Sequence, residues 1–390
     1  MKEFISRVFI VGLTIFAMLF GAGNLMFPLR LGIECGNQTL WGLSGFIATG
    51  VFLPLLGLIA IVLFQGDYKA FFGRIGTIPG NIAIAFSMMI IGPFVVMPRI
   101  IGLSYEMLQP FLPAMPVGLF AVGFLSLAFV ATYRPTKLLT VIGRVLSPLK
   151  VLSILTIVII GVVKAGIVPF NGENPTTLFL KGIETGYYTL DLLGAIFFGS
   201  IIVSLLTTYA PKNDSMSIRH AMKISVWASF GAALLLSGVY AGMSLIGACH
   251  GLGLETLNEG AIFSAISFKV LGSYGAALIG LTVFLACFTT TVSLTAVVSQ
   301  YIRSEICNNA ISYPVACAIT LITTALFARH GLAAILSFSI PVIVACYPIF
   351  IVITLCNLAY KLWGFPYIKV PVLITTIAVV APYAMRMIGY

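Results

Sequence analysis

The chain has 390 residues, of which 60% are apolar and 8% charged, and its net charge is +10. Soluble domains carry about 25% charged residues, and 21 basic plus 11 acidic side chains cannot cover a soluble surface of this size. The composition places the chain in a membrane and excludes a secreted disulfide scaffold, a disordered chain and a nucleic-acid binder.

A membrane helix needs roughly 20 apolar residues. Apolar stretches lie at 6–29, 40–64, 81–109, 116–132, 147–164, 187–209, 222–248, 274–302, 311–328, 332–358 and 370–387, eleven in all. They are continuous, whereas the strands of a membrane barrel alternate over about 10 residues. The expected class is therefore an all-α polytopic membrane protein. The connections are too short for an appended ATPase or kinase. The first stretch follows Lys2 and Arg7 but lacks an A-x-A cleavage site, which argues against a removed signal peptide. With the N-terminus inside, the inner segments hold fourteen basic residues, the outer segments six, and Arg99 lies within a span. That bias predicts a cytoplasmic N-terminus.

The first stretch contains Gly21-Ala22-Gly23-Asn24 and then Pro28. Glycine loosens a helix and proline removes a donor. Unwound backbone survives in lipid only where it is buried or lines a cavity, so this pattern predicts a broken helix with groups to spare for a ligand. The third stretch holds Gly92-Pro93-Phe94 and two ionisable residues, Arg99 and Glu106, seven apart on one face. Such residues are functional or structural pairing candidates. The sixth stretch, from Asp191 through Leu193-Gly194 to Phe198-Gly199-Ser200, again has glycines and a hydroxyl mid-span. Asp191 starts that span, at headgroup level or as a helix cap. The first and sixth spans open two five-helix sets. An odd number per set inverts the second, and paired interrupted helices point to a transporter's binding site. The eighth stretch carries Ala286-Cys287-Phe288-Thr289-Thr290-Thr291. Hydroxyl and carbonyl oxygens suit a hard cation, although a membrane threonine often bonds its own i−4 carbonyl.

None of the seven cysteines forms a CxxC pair; Cys35 and Cys249 both map outside and are candidate partners. HExxH, P-loop and GxSxG patterns are absent, so no soluble-type catalytic constellation is present.

Gly21-Ala22-Gly23-Asn24 with Phe27-Pro28, Gly92-Pro93 with Pro98-Arg99, Gly186-Tyr187 with Asp191 and Phe198-Gly199, Ala286 to Thr290, and Pro341-Val342 with Tyr347-Pro348 resemble the branched-chain amino acid:cation symporter family. The motifs run in order from about residue 8 to 360. The resemblance implies the amino acid–polyamine–organocation superfamily and a LeuT-type five-plus-five inverted repeat with helices 1 and 6 broken. Residues 1–165 would form the first repeat, 187–358 the second, and 359–390 an added helix. Family members usually have twelve spans; here the apolar stretches end at the eleventh.

The resemblance also implies a site. Amides of Gly21, Ala22, Gly23 and Asn24 would meet the substrate carboxylate. Carbonyls at Leu19, Leu193 and Gly194 would receive its ammonium, and Pro93, Phe94 and Phe198 would wall its side chain. Sodium would lie among Ala17, Phe20, Ala286, Thr289 and Thr290. The reading is import of leucine, isoleucine or valine by sodium symport across the cytoplasmic membrane, with no cofactor beyond the coupling ion and no protein partner. Its rivals are another neutral amino acid, proton coupling through Glu106 or Asp191, a membrane-embedded enzyme, and the membrane subunit of an ATP-driven importer.

Overall fold

A computed structural model describes residues 2–112, 114–133, 147–166, 168–208, 215–257 and 259–387. Arg134, Lys137, Arg144 and Lys212, four of the basic residues used for orientation, lie outside them. Helix covers all eleven apolar stretches within the described residues, which contain no strand. The protein is an integral membrane protein. Among the described residues, five helices are individually long and apolar enough to cross a bilayer, and a sixth crossing is a bent pair. Shorter apolar helices include Phe4–Leu19, Val117–Thr132, Ile154–Val163 and Tyr313–Ala328.

Three spans are interrupted where the sequence or the packing forbids a regular helix. The first runs Lys2–Leu19, breaks, and resumes at Ala22–Cys35. Gly21 is extended there (φ −111°, ψ −158°). The third runs Thr77–Met89, widens into a π-turn over Ile90–Phe94, and continues as Val96–Leu108. Pro93 has no N–H to continue the ladder, and Gly92 takes ψ −127°. The sixth consists of Pro175–Tyr187 and Asp191–Thr208, bent by 42°. It starts earlier than the stretch at 187 suggests, because the polar-flanked helix 175–187 is its first half. The eighth span is the second part of Glu259–Tyr301, which turns at Gly272, φ 69°.

Glycine sets how closely the spans cross. A Cβ on Gly32 would fall 1.9 Å from the Ser244 carbonyl oxygen, and one on Gly247 would fall 2.1 Å from that of Leu29. The second half of the first span therefore lies backbone to backbone against the seventh, Ser215–His250. Gly182 and Gly45 do the same for the sixth span against the second, at 2.0 Å from the Gly42 oxygen and 2.1 Å from that of Phe179. Close approach at small residues replaces the hydrophobic drive that lipid cannot supply. These crossings bring both broken helices to one level, between the third, seventh and eighth spans. Cys35 lies buried under Gly42, and both Cys35 and Cys249 are free thiols rather than a disulfide.

Candidate functional site

The first break is organised by Asn24. Its Oδ1 accepts the Gly21 N–H at 3.0 Å, the half of a capping box in which a side chain at the third position reaches back. In a continuous helix that N–H would go to the carbonyl of Ala17. Its diversion leaves the Ala17 oxygen to accept from the Thr289 hydroxyl at 3.4 Å. The Phe20 oxygen accepts from the Thr290 hydroxyl at 3.3 Å, and the Ala286 oxygen lies 3.0 Å from that of Thr289. The structure thus brings together all five residues assigned from sequence to sodium. Thr289 and Thr290 are buried, at 0% and 4% exposure. The separations are informative. They are long for O–H···O bonds, whose usual length is about 2.7–2.8 Å. Oxygens about 2.4 Å from one cation and at right angles are about 3.4 Å apart, close to the two separations across the junction, whereas the Ala286–Thr289 contact within the eighth span is shorter.

Asn24 also ties the first break to the sixth span. Its Nδ2 donates to Asp191 Oδ2 and to the Tyr240 hydroxyl, and Tyr240 donates to the same Asp191 oxygen at 3.2 Å. Asp191 is 5% exposed; it is not at headgroup level but in the interior. The Leu192 N–H, in the orphaned first turn of this helix, donates to the Tyr347 hydroxyl at 3.1 Å.

The sixth break lies at Tyr188–Leu190, not at Leu193–Gly194. Leu190 adopts φ 61°, a left-handed conformation that is costly for a bulky residue. Arg99 holds the turn: Nη1 donates to the Tyr188 oxygen at 2.7 Å and Nη2 to that of Thr189 at 3.5 Å. Its guanidinium also lies 5.4 Å from the Phe27 ring centroid. Leu193 and Gly194 are helical, and the Gly194 N–H donates to the Leu190 oxygen. Their carbonyls are therefore ladder acceptors, not open receptors for an ammonium.

Between the breaks lies a small cavity of about 30 Å³, room for a water or two rather than for a whole ligand, which takes about 300 Å³ or more. Leu19, Gly21, Gly23, Asn24, Gly194 and Phe198, assigned to the substrate, line it, and so do Thr290, assigned to sodium, and Arg99 and Asp191. Ala22 opens the resumed helix. Pro93 and Phe94 do not line it; the third span contributes Ile91, Val96 and Ile100 instead. Phe94 turns away onto Phe327, with ring centroids 4.7 Å apart. Glu106 is also elsewhere: its Oε2 would meet a Cβ on Gly260 at 2.0 Å. It is not among the residues lining the cavity, although it lies seven residues from Arg99. Of the two acids considered for coupling, only Asp191 reaches the cavity.

Residues 5–387 match the family of branched-chain amino acid transport proteins. The chain belongs to this family. It is 32% identical over 371 residues to the branched-chain amino acid permease BraB of Bacillus subtilis, covering 92% of this chain and 81% of that one. It is 34% identical over 354 residues to the permease BrnQ of the same organism, covering 88% and 79%. Among solved structures it superposes on the nucleobase-cation-symport transporter Mhp1 with TM-score 0.66, 14% identity, and 98% and 92% of the two chains covered. It superposes on MhsT, determined with L-phenylalanine, with TM-score 0.61, 16% identity and 97% coverage of each. These likenesses give the LeuT-type fold, with its inverted repeat and helices 1 and 6 broken. The family consists of transporters, and the chain is not an enzyme.

For a member of this family, the site's least legible residue is Tyr240. It sits within an apolar run of the seventh span with no neighbouring motif. The one available signal was chemical, since a buried tyrosine hydroxyl usually finds a partner. Tyr347, quoted only as part of a motif, and the carbonyls of Tyr188 and Thr189, which no local signal marks, were not assigned to the site.

Proposed function

We propose that the protein imports branched-chain amino acids by symport with sodium, through alternating access in the cytoplasmic membrane with its N-terminus inside. The observation that carries this reading is the junction of the first and eighth spans. There the Thr289 and Thr290 hydroxyls face the Ala17 and Phe20 carbonyls across the two spans at 3.4 and 3.3 Å, and Thr290 lines both that junction and the cavity. The cavity's apolar wall, from Met18, Ile91, Val96, Ile100 and Leu294, suits a branched aliphatic side chain. Sodium bound between the two spans favours one arrangement of them, and the substrate then favours closure, a coupling by differential affinity. An inside-negative potential supplies about 2.3 kcal/mol per charge per 100 mV, which drives import when one sodium accompanies a zwitterion. Repeats over about 1–165 and 187–358, the second extended back to Pro175 by the helix that opens it, would rock against each other around the site.

A second reading has one observation behind it. Asp191 is a buried acid on the cavity wall, the position a proton-coupled carrier needs. Uptake of radiolabelled leucine into proteoliposomes separates the two. Uptake that requires an inward sodium gradient, and is competed by isoleucine and valine, is the expected result. Uptake driven by a pH gradient without sodium would move the coupling to Asp191. No uptake under either gradient by folded protein would overturn the substrate assignment.

A further inference from the structure

The structure commits elsewhere some of the groups that a LeuT-type site is expected to offer an amino acid. The Gly21 N–H, expected to meet the carboxylate, is bonded to Asn24 Oδ1. The Tyr188 and Thr189 carbonyls at the sixth break, natural acceptors for an ammonium, are bonded to Arg99. In their place the cavity wall carries one cation and one anion. Arg99 is 1% exposed and Asp191 5%, and the two interact electrostatically.

Arg99 is not saturated. Its Nε is buried and has no hydrogen-bond partner among the described residues. Burying such a donor is costly unless something accepts from it. Its Nη2 contact to Thr189, at 3.5 Å, is at the limit of a hydrogen bond. Gly23 stands beside this edge: a Cβ there would come 3.1 Å from Nη2, so the absent side chain leaves the guanidinium open to the cavity. Nε and an Nη together form the fork that binds a carboxylate in bidentate fashion. Asp191 has Oδ2 committed to Asn24 and Tyr240, two neutral donors that orient the carboxylate without cancelling its charge.

We propose that Arg99 and Asp191 are substrate-binding residues, Arg99 taking the α-carboxylate of the amino acid through its Nε edge and Asp191 taking its α-ammonium. The assignment rests on the amino-acid transport reading and deepens it. The site recognises the zwitterion by side-chain charge, and the apolar wall reads the side chain. The empty cavity holds opposite charges that balance each other, and the zwitterion enters with its own charges opposed to them. Neither residue is left uncompensated in the loaded or the unloaded protein, which matters at this depth.

The test is competition for radiolabelled leucine binding to the purified full-length protein. The competitors are leucine, leucinol (no carboxylate) and 4-methylpentanoate (no ammonium). The wild type should reject each analogue by about 100-fold or more, as sites built around a buried polar group reject ligands lacking its partner. Arg99→Gln should weaken leucine by about 100-fold and leave leucinol within about threefold, so that discrimination against leucinol disappears. Asp191→Asn should do the same for 4-methylpentanoate. The double variant Arg99→Gln/Asp191→Asn removes both charges, so it is the least exposed to misfolding from an unpaired charge. It should bind leucine and leucinol alike. A purely structural role for Arg99 gives the opposite pattern: leucine and leucinol weaken together and their ratio persists. That pattern, or a double variant that still rejects leucinol, overturns the proposal. A wild type that binds leucine and leucinol equally overturns it while sparing the transport reading. A folded wild type that binds no leucine removes the transport reading, and this assignment with it.

Discussion

Replacing Thr289 or Thr290 by valine removes one oxygen from the junction of the first and eighth spans at nearly constant volume. As simple hydrogen bonds, the contacts at 3.3 and 3.4 Å across the junction contribute little, because they are well beyond the usual O–H···O length. As ligands of a cation, each should contribute about 1.5–3 kcal/mol, the scale of a hydrogen bond to a charged group. At about 1.4 kcal/mol per tenfold, either substitution should raise the half-saturating sodium concentration roughly 10- to 100-fold. Serine at either position keeps the oxygen and should restore it to within about threefold of the wild type on the same scale. Thr291 is the internal control. Its Oγ1 is buried with no hydrogen-bond partner among the described residues, and its side chain belongs to neither the cavity nor the oxygen cluster. Thr291→Val should leave sodium dependence unchanged. It should also hold or raise the thermal midpoint, since it removes an unsatisfied hydroxyl that costs about 1–3 kcal/mol. The assay is leucine uptake into proteoliposomes against sodium concentration at constant ionic strength. Equal sodium curves for the wild type, Thr289→Val and Thr290→Val would refute the cation-site argument. So would an equal shift in all three valine variants.

Other substitutions test the parts that hold the site. Gly182→Ala puts a Cβ 2.0 Å from the Gly42 oxygen and should destabilise the purified protein by about 1–3 kcal/mol or more. Gly123→Ala, with nothing within 4 Å, should be neutral or stabilising by up to about 1 kcal/mol; thermal unfolding compares the two, and equal midpoints would discredit the backbone crossing. Tyr240→Phe keeps the ring's packing on Phe20 and Phe46 but removes a hydroxyl from Asp191. It should lower the thermal midpoint and weaken leucine binding, at a cost of about 1.5–3 kcal/mol; an unchanged midpoint would mean that the hydroxyl carries no structural share. Orientation is read by an impermeant maleimide on intact cells, using variants that keep only Cys249 or only Cys307. Both thiols are partly exposed, and label on Cys249 alone is the expected result for a cytoplasmic N-terminus.

How much of this was legible varied with where each constraint arises. The first break was readable because its causes are local: Gly21 and Gly23 loosen the helix, and Asn24 caps the half that resumes three residues earlier. The threonine cluster was readable because the oxygens sit side by side in sequence. The sixth break was displaced because no local signal marks it. Tyr188, Thr189 and Leu190 include neither glycine nor proline. Leu190 is held left-handed between Arg99, bonded to Tyr188 from 89 residues away, and Tyr347, bonded to Leu192 from 155 residues away. The register of the third span failed for a geometric reason. The π-turn at Ile90–Phe94 inserts an extra residue, and each residue of a helix turns it by about 100°. The resemblance assigned Pro93 and Phe94 to the cavity wall, but past this turn it is Ile91 and Val96 that stand there.

The polar groups at the breaks explain why two interrupted helices are tolerated at all. Hydrocarbon offers unsatisfied backbone no water, so each break needs partners from the protein itself. The first break uses Asn24 on its own helix, and the sixth uses Arg99 from the third span and Tyr347 from the tenth. Asn24 then bonds Asp191 directly. The two breaks are consequently one connected unit, with Tyr240 of the seventh span bonded to both members. A cation at Thr289 and Thr290 would meet the first span at the Ala17 and Phe20 carbonyls, seven and four residues before Asn24. On the proposed mechanism that separation has a purpose. The hub of Asn24, Asp191 and Tyr240 keeps the substrate's contacts in register, while the oxygen junction between the first and eighth spans opens or closes with the ion. Breaking the hub should therefore impair binding in every condition, whereas breaking the junction should impair it only when sodium is limiting.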